Sequence, residues 1–134
     1  IKADHTRTAA FLFLKKIEPI KVDIFLKNAK RIEIGDLIFD IIHTPGHTLG
    51  SICLYERGLE VLFSGDTVFA NGSFGRTDLL GGNSKELVNS LEKLTKLKVE
   101  ALLPGHEEII LKEGSNHIKS SFEMASLMLK EGFI

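Results

Sequence analysis

The sequence has one cysteine, almost no net charge and no long apolar run. Cys53 is alone in the chain and cannot form an intramolecular disulfide, which favours a reducing compartment and predicts a cytoplasmic location. No apolar run approaches the roughly 18 residues of a membrane span, and no signal-peptide pattern is present. The formal net charge of -1 argues against a nucleic-acid-binding surface. The sequence therefore predicts neither nucleic acid nor membrane as a partner.

The composition is that of one ordinary globular domain. The chain has 134 residues, of which 43% are hydrophobic and 26% are charged, and this length is enough to bury a core. No internal repeat, low-complexity tract or linker interrupts it. We therefore expect a single domain over residues 1–134.

The apolar pattern predicts strands in the first half of the chain and helices mainly in the second. RIEI and LIFDII flank a Gly35-Asp36 turn, and SICLYE and EVLFSG flank a turn at Arg57-Gly58, which indicates a meander of strands. Asn83 and Glu86 suit an N-cap and its partner, and they predict a helix to about Leu97. Further elements are predicted at residues 8–16 (helix), 71–83 (long loop), VEALLP (strand) and about 115–131 (helix).

Three apolar strands end at a glycine that precedes a metal-competent side chain. IIHTPGH ends at His47, VLFSGD at Asp66 and ALLPGH at His106. A glycine turn after a strand places the next side chain at one edge of a sheet, where sites of α/β proteins form. Two imidazoles and a carboxylate suit Zn²⁺, with Fe or Mn as harder alternatives. The pattern predicts a metal site at these three residues, although Asp66 could instead cap the turn that follows its strand.

The residues around this pattern resemble the metallo-β-lactamase fold superfamily, and more narrowly its glyoxalase II-like hydrolases. The resembling stretches are HTPGHTLGSICLY, VLFSGDTVFANGSFGRTD and LLPGHE, within about residues 36–107. The resemblance implies an α/β fold of the αββα sandwich type, of which this chain shows mainly the C-terminal portion.

The resemblance also implies a metal-dependent hydrolase acting on a small-molecule substrate. His47 would bind one metal and His106 the other, and Asp66 would bridge both and act as the catalytic residue. One or two Zn²⁺, or alternatively Fe or Mn, would supply a metal-bound hydroxide. The implied substrate is a thioester, as in a hydroxyacylglutathione hydrolase. The stretch FANGSFGRTD also resembles iron-dependent sulfur dioxygenases, which is an alternative function.

The chain departs from the family at its first metal motif, a His-x-His-x-Asp-His run that is absent. Each metal then keeps two ligands, whereas catalytic zinc usually has three from the protein. Asp4 and His5 are either a remnant of that run or, as we favour, part of a strand end beyond it. We therefore expect a chain that is N-terminally incomplete.

A non-catalytic function is the second alternative. Half of a sandwich would expose an apolar sheet face, which normally requires a partner. The chain would then be a metal-poor half-domain whose partner is another copy, in a homo-oligomer, or the missing N-terminal segment.

Other polar residues near the pattern have local explanations beside functional ones. We expect His43 to end a strand and not to bind metal. The Thr48 hydroxyl either forms a hydrogen bond near the site or caps its own turn. Arg76 and Asp78 meet either an anionic substrate or each other in an ion pair that braces their loop.

Overall fold

The structure is a computed structural model that describes residues 18, 21–23, 25–26 and 30–134. The predicted helix at residues 8–16, together with Asp4 and His5, lies outside the described residues. The elements in chain order are strands β1 (Arg31–Ile34), β2 (Leu37–His43), β3 (Ile52–Glu56) and β4 (Val61–Gly65), helix α1 (Ser84–Leu94), strand β5 (Ala101–Pro104) and helix α2 (Gly114–Lys130).

The five strands form one sheet in the order β1-β2-β3-β4-β5. Neighbouring strands from β1 to β4 are antiparallel, as expected for a meander with short turns, whereas β5 pairs parallel to β4. Because β2 and β4 both run opposite to β3, the strands β2, β4 and β5 all end at the same edge. The predicted meander is confirmed, and this topology brings the three strand ends of the sequence pattern together.

One face of the sheet packs against both helices and forms the core. Its strand residues Cys53, Tyr55, Leu62 and Leu102 are buried. The helices contribute a further set of buried apolar residues: Leu87, Leu91, Leu94, Ile118 and Ala125. Each buried leucine or isoleucine contributes about 1.5–3 kcal/mol relative to exposure. Burial also raises the pKa of the Cys53 thiol, so this cysteine is a structural thiol and not a reactive one.

The other face of the sheet is apolar and partly open. Residues that pair across strands share a face, and the pairs Ile34–Leu37 and Leu54–Phe63 both lie on this side. Ile34, Leu37 and Phe63 are exposed. The expected apolar face is therefore present in the described part of the chain, and its partner stays a prediction.

The two helices begin close to where the sequence predicts and α1 ends earlier. The Asn83 side chain accepts a hydrogen bond from the Glu86 backbone N–H at 2.9 Å, which confirms the predicted N-cap. The predicted end of α1 at Leu97 is wrong by three residues. The N–H groups of Lys96 and Leu97 bond to carbonyls three residues back, so the chain tightens into a turn after Leu94.

Among the described residues, no helix combines the length and apolarity that crossing a bilayer requires.

Candidate metal centre

The structure brings the three predicted site residues together at one sheet edge. The parallel register of β4 and β5 pairs Gly65 with Pro104, so Asp66 and His106 leave the sheet side by side. His47 approaches from the loop after β2. Asp66 Oδ2 lies 3.6 Å from His47 Nε2, and Asp66 Oδ1 lies 3.6 Å from His106 Nε2. Each carboxylate oxygen thus faces a different imidazole.

The orientation of the His47 ring is fixed by its other nitrogen. His47 Nδ1 lies 2.7 Å from the Arg76 carbonyl oxygen, which can only accept, so Nδ1–H is the donor. In the neutral ring, Nε2 then carries a lone pair that points toward Asp66. His47 Nε2 and Asp66 Oδ2 are then both acceptors, and at 3.6 Å they are too far apart for a direct hydrogen bond. Two acceptors that face each other in this way favour a cation between them. A backbone partner of this kind is typical of metal-binding histidines.

These contacts fit a bridging carboxylate with one imidazole on each side. Metal–ligand bonds of about 2.0–2.2 Å in a tetrahedral site separate neighbouring ligand atoms by about 3.3–3.6 Å, close to both observed distances. Within residues 30–134 and the short stretches described before them, no three His, Cys, Asp or Glu side chains are grouped around one point. The candidate ligands His47, Asp66 and His106 therefore form two pairs that share Asp66, and each pair is short of the usual three protein ligands of catalytic zinc.

Two glycines pack directly against Asp66. A Cβ added at Gly105 would overlap Asp66 Oδ1, and a Cβ added at Gly75 would overlap the Asp66 carbonyl oxygen and lie 3.2 Å from His47 Cβ. Gly105 is in the sequence pattern, whereas the need for Gly75 comes only from the folded loop. A side chain at Gly105 would displace the Asp66 carboxylate, and a side chain at Gly75 would displace the Asp66 backbone, so both glycines leave room for Asp66.

Helix α1 holds the loop that carries His47. Gly46 has a φ of 141°, and an added Cβ would overlap the backbone of Leu87. The Gly46 carbonyl accepts from Asn83 N–H at 2.7 Å, and the Pro45 carbonyl accepts from Ser90 Oγ at 2.7 Å. These contacts tie the loop to α1 and fix the position of the His47 backbone.

Two further polar contacts support the same loop. Lys93 Nζ donates to the His43 carbonyl at 2.6 Å. Beneath the site, the buried hydroxyls of Thr44 and Thr67 bond to each other at 3.0 Å, which ties the end of β2 to the end of β4. Sequence reasoning missed these residues. The available signal was the position of the two threonines, one residue after β2 and one after Asp66.

The remaining polar residues near the site have the local roles that the sequence allowed. His43 Nε2 contacts the Leu49 carbonyl at 2.9 Å, and Thr48 Oγ1 bonds to Ser51 Oγ at 2.8 Å within its own turn. Arg76 and Asp78 form a two-bond ion pair at 2.6 and 2.7 Å. The loop that carries the Arg76 carbonyl is therefore braced internally.

The Arg76–Asp78 pair predicts a specific acid dependence. The Arg76 guanidinium lowers the pKa of Asp78 from 3.8 to about 2. A lowered carboxyl pKa stabilises the folded chain above the ordinary value, and this contribution is lost as pH falls from about 4 to about 2. We expect Asp78→Asn to remove that part of the pH dependence. Thermal unfolding of both proteins between pH 7 and 2 measures this, and parallel curves would contradict it.

The comparisons with known proteins agree with this fold. The model of the metallo-beta-lactamase superfamily matches residues 2–106. The chain therefore belongs to the metallo-β-lactamase superfamily, and both the resemblance to this superfamily and the α/β fold class are confirmed. The acyl-coenzyme A thioesterase MBLAC2 of Homo sapiens is 32% identical over 130 residues, covering 84% of this chain and 46% of that protein.

Two solved structures are similar in sequence and fold. The BLEG-1 B3 metallo-beta-lactamase is 32% identical with a TM-score of 0.71, over 90% of this chain and 56% of that one. TTHA1623 in a di-iron-bound form is 31% identical with a TM-score of 0.63, over 81% of this chain and 52% of that one. The chain spans only 38% to 50% of the length of the first curated relatives it matches.

Proposed function

We propose that this chain carries part of the metal centre of a metal-dependent hydrolase. The observation that supports it most directly is Asp66, whose two oxygens each face a histidine Nε2 at 3.6 Å. His47 would hold one divalent metal, His106 the other, and Asp66 both. A divalent metal bound there would lower the pKa of a water ligand to about 7 and polarise a carbonyl group.

The described residues would do three things around that centre. Asp66 would be common to both metal positions, with one carboxylate oxygen directed toward each imidazole. The Arg76 carbonyl would hold His47 with its Nε2 lone pair free. Gly105 would leave room for the Asp66 carboxylate, and Gly75 would leave room for the Asp66 backbone carbonyl. The missing ligands would come from outside the described residues, where Asp4 and His5 also lie.

The substrate class that we favour is a thioester. The support is the 32% identity to a relative named as an acyl-coenzyme A thioesterase. A thioester carbonyl is a suitable target, because a metal-activated water can attack it and the thiolate can leave without prior protonation. An acylglutathione is the alternative thioester that the sequence resemblance implies.

Zinc is the metal that two imidazoles and a carboxylate favour, with iron or manganese as alternatives. The similarity to a protein solved in a di-iron-bound form supports iron as a real competitor. An iron enzyme of the sulfur dioxygenase kind is accordingly the second enzymatic candidate. The two candidates differ in their co-substrate, since the hydrolase uses water and only the dioxygenase consumes molecular oxygen.

Metal content is the experiment that tests this function. We expect the chain, purified without chelator, to contain Zn, Fe or Mn that is reduced in His47→Ala and Asp66→Ala. Elemental analysis per chain gives the result, and thioester hydrolysis measured beside oxygen consumption separates the two enzymatic candidates. Equal metal in all three proteins, at background level, would contradict a metal centre in this chain.

A partner-binding half-domain is a second candidate function. The exposed residues Ile34, Leu37 and Phe63 on the open sheet face favour it. It predicts metal at background level together with an oligomer or complex that buries this face. Metal that depends on Asp66 would exclude the metal-poor form of this candidate.

A further inference from the structure

His106 is the most exposed of the three site residues. Its side chain is 72% exposed, compared with 20% for His47. His47 has the Arg76 carbonyl as a partner, whereas no hydrogen bond to the His106 ring is found in the described part of the chain. The ring packs edge-on against Phe69, with ring centroids 6.0 Å apart. Something besides hydrogen bonding to the ring must therefore fix the direction of the His106 side chain.

The backbone directly after His106 has an unusual conformation. Glu107 has a φ of 66°, a left-handed region that non-glycine residues rarely adopt. Such a conformation persists only where the surroundings hold it. The Glu107 side chain accepts a hydrogen bond from Ser73 Oγ at 2.8 Å. Ser73 belongs to the loop after Asp66, so this bond joins the segment of one site residue to the segment of another.

The Ser73 loop is itself fixed to helix α2 and to the residue after Glu107. The Ser73 carbonyl accepts from Ser121 Oγ at 2.9 Å, and His117 Nδ1 accepts from the Asn71 N–H at 3.0 Å. The Asn71 side-chain amide donates to Glu108 Oε1 at 2.8 Å. Ser73 is thus an anchored donor and not a mobile surface hydroxyl.

We propose that the hydrogen bond from Ser73 to Glu107 positions His106 relative to Asp66. By holding Glu107 in its left-handed conformation, the bond sets the direction in which the preceding residue, His106, leaves β5. Ser73 and Glu107 are therefore positioning residues that act through His106. The proposal rests on the proposed metal centre only for its consequence, which is tighter binding of the metal held by His106.

The orientation of His106 is tested on the metal-free chain. Because the His106 ring lies 6.0 Å from the Phe69 ring, we expect its ring protons, observed by NMR, to carry a ring-current shift from Phe69. We expect Ser73→Ala and Glu107→Ala to move these signals toward the values of a freely rotating histidine. Glu107→Gln keeps an acceptor oxygen for Ser73 and should retain the parent shift. Thr95→Ala removes a hydroxyl that donates to the Glu92 carbonyl at the C-terminal end of α1, and it is the matched control.

Glu107→Gly separates the hydrogen bond from the backbone strain. Glycine adopts a positive φ without cost, so this variant keeps the permitted backbone while it loses the carboxylate. We expect the fold to remain and the His106 signals to shift as in Glu107→Ala. Parent-like His106 signals in Ser73→Ala, Glu107→Ala and Glu107→Gly would overturn the proposal.

Metal titration then tests the consequence. Loss of a residue that orients a ligand typically weakens metal binding about 10- to 100-fold. We expect Ser73→Ala to bind one of two Co²⁺ equivalents more weakly by this factor and the other with unchanged affinity. Glu107→Gln should bind both equivalents with an affinity close to that of the parent. Equal affinity of Ser73→Ala and parent for both equivalents would overturn the positioning role. A parent that binds no Co²⁺ would contradict the proposed function alone, since the NMR result on His106 is independent of it.

Discussion

Asp66→Ala should abolish the binding of both metal equivalents, whereas His47→Ala and His106→Ala should each abolish one. The reason is the geometry of the carboxylate, whose two oxygens face the two histidines separately at the same distance of 3.6 Å. Removing the shared residue leaves each position with a single described ligand. We expect an affinity loss greater than about 100-fold for Asp66→Ala, beyond the range that is usual for residues that only orient a ligand.

Titration with Co²⁺, followed by its visible absorption, measures the number of equivalents and their geometry in each variant. Asp36→Ala is a suitable control, because Asp36 is an exposed aspartate in the turn between β1 and β2. It should bind metal as the parent does. If Asp66→Ala lost one equivalent and kept the other at parent affinity, Asp66 would be a ligand of one metal and the bridging role would be wrong.

Much of the fold could be predicted from local patterns. The strands from β1 to β4 alternate with turn residues, and the Asn83 cap marks the start of α1, so both follow from nearest-neighbour chemistry. The end of α1 could not be predicted so well, because Thr95 and Leu97 are compatible with a helix and the tightened turn after Leu94 depends on the packing of the following chain.

The sequence predicts which residues form the candidate site, but not the contacts that hold them in place. Three patterns of a strand, a glycine and a metal-competent residue identify the convergent residues, since strand direction brings their ends to one edge. The contacts from Ser90, Lys93, Thr67 and Gly75 depend on which segments meet in three dimensions. The three hydrogen bonds join residues 23 to 50 positions apart, and the close approach of Gly75 to the Asp66 backbone depends on how the loop folds, so no local spacing encodes them.

Gly105→Ala should disable the centre while leaving most of the fold intact. The added methyl group would overlap Asp66 Oδ1, and it would lie 3.2 Å from the Gly65 carbonyl. The added methyl group should displace the Asp66 carboxylate and not the Gly65 backbone, because a side chain can rotate whereas the β4 backbone is fixed by its pairing with β5. We therefore expect Asp66 Oδ1 to turn away from His106 and the metal bound there to be lost.

The stability cost should be that of modest overpacking, about 1–3 kcal/mol. Gly50→Ala is the matched control, since its added Cβ meets nothing within 4 Å and no positive φ is required there. Co²⁺ titration and thermal unfolding of both variants give the two results. Parent-like metal binding in Gly105→Ala would show that Asp66 does not need its observed orientation, whereas complete unfolding would show that the glycine supports the sheet edge and not the carboxylate alone. Metal loss with a folded chain, together with a silent Gly50→Ala, would place the effect at the carboxylate that both histidines face.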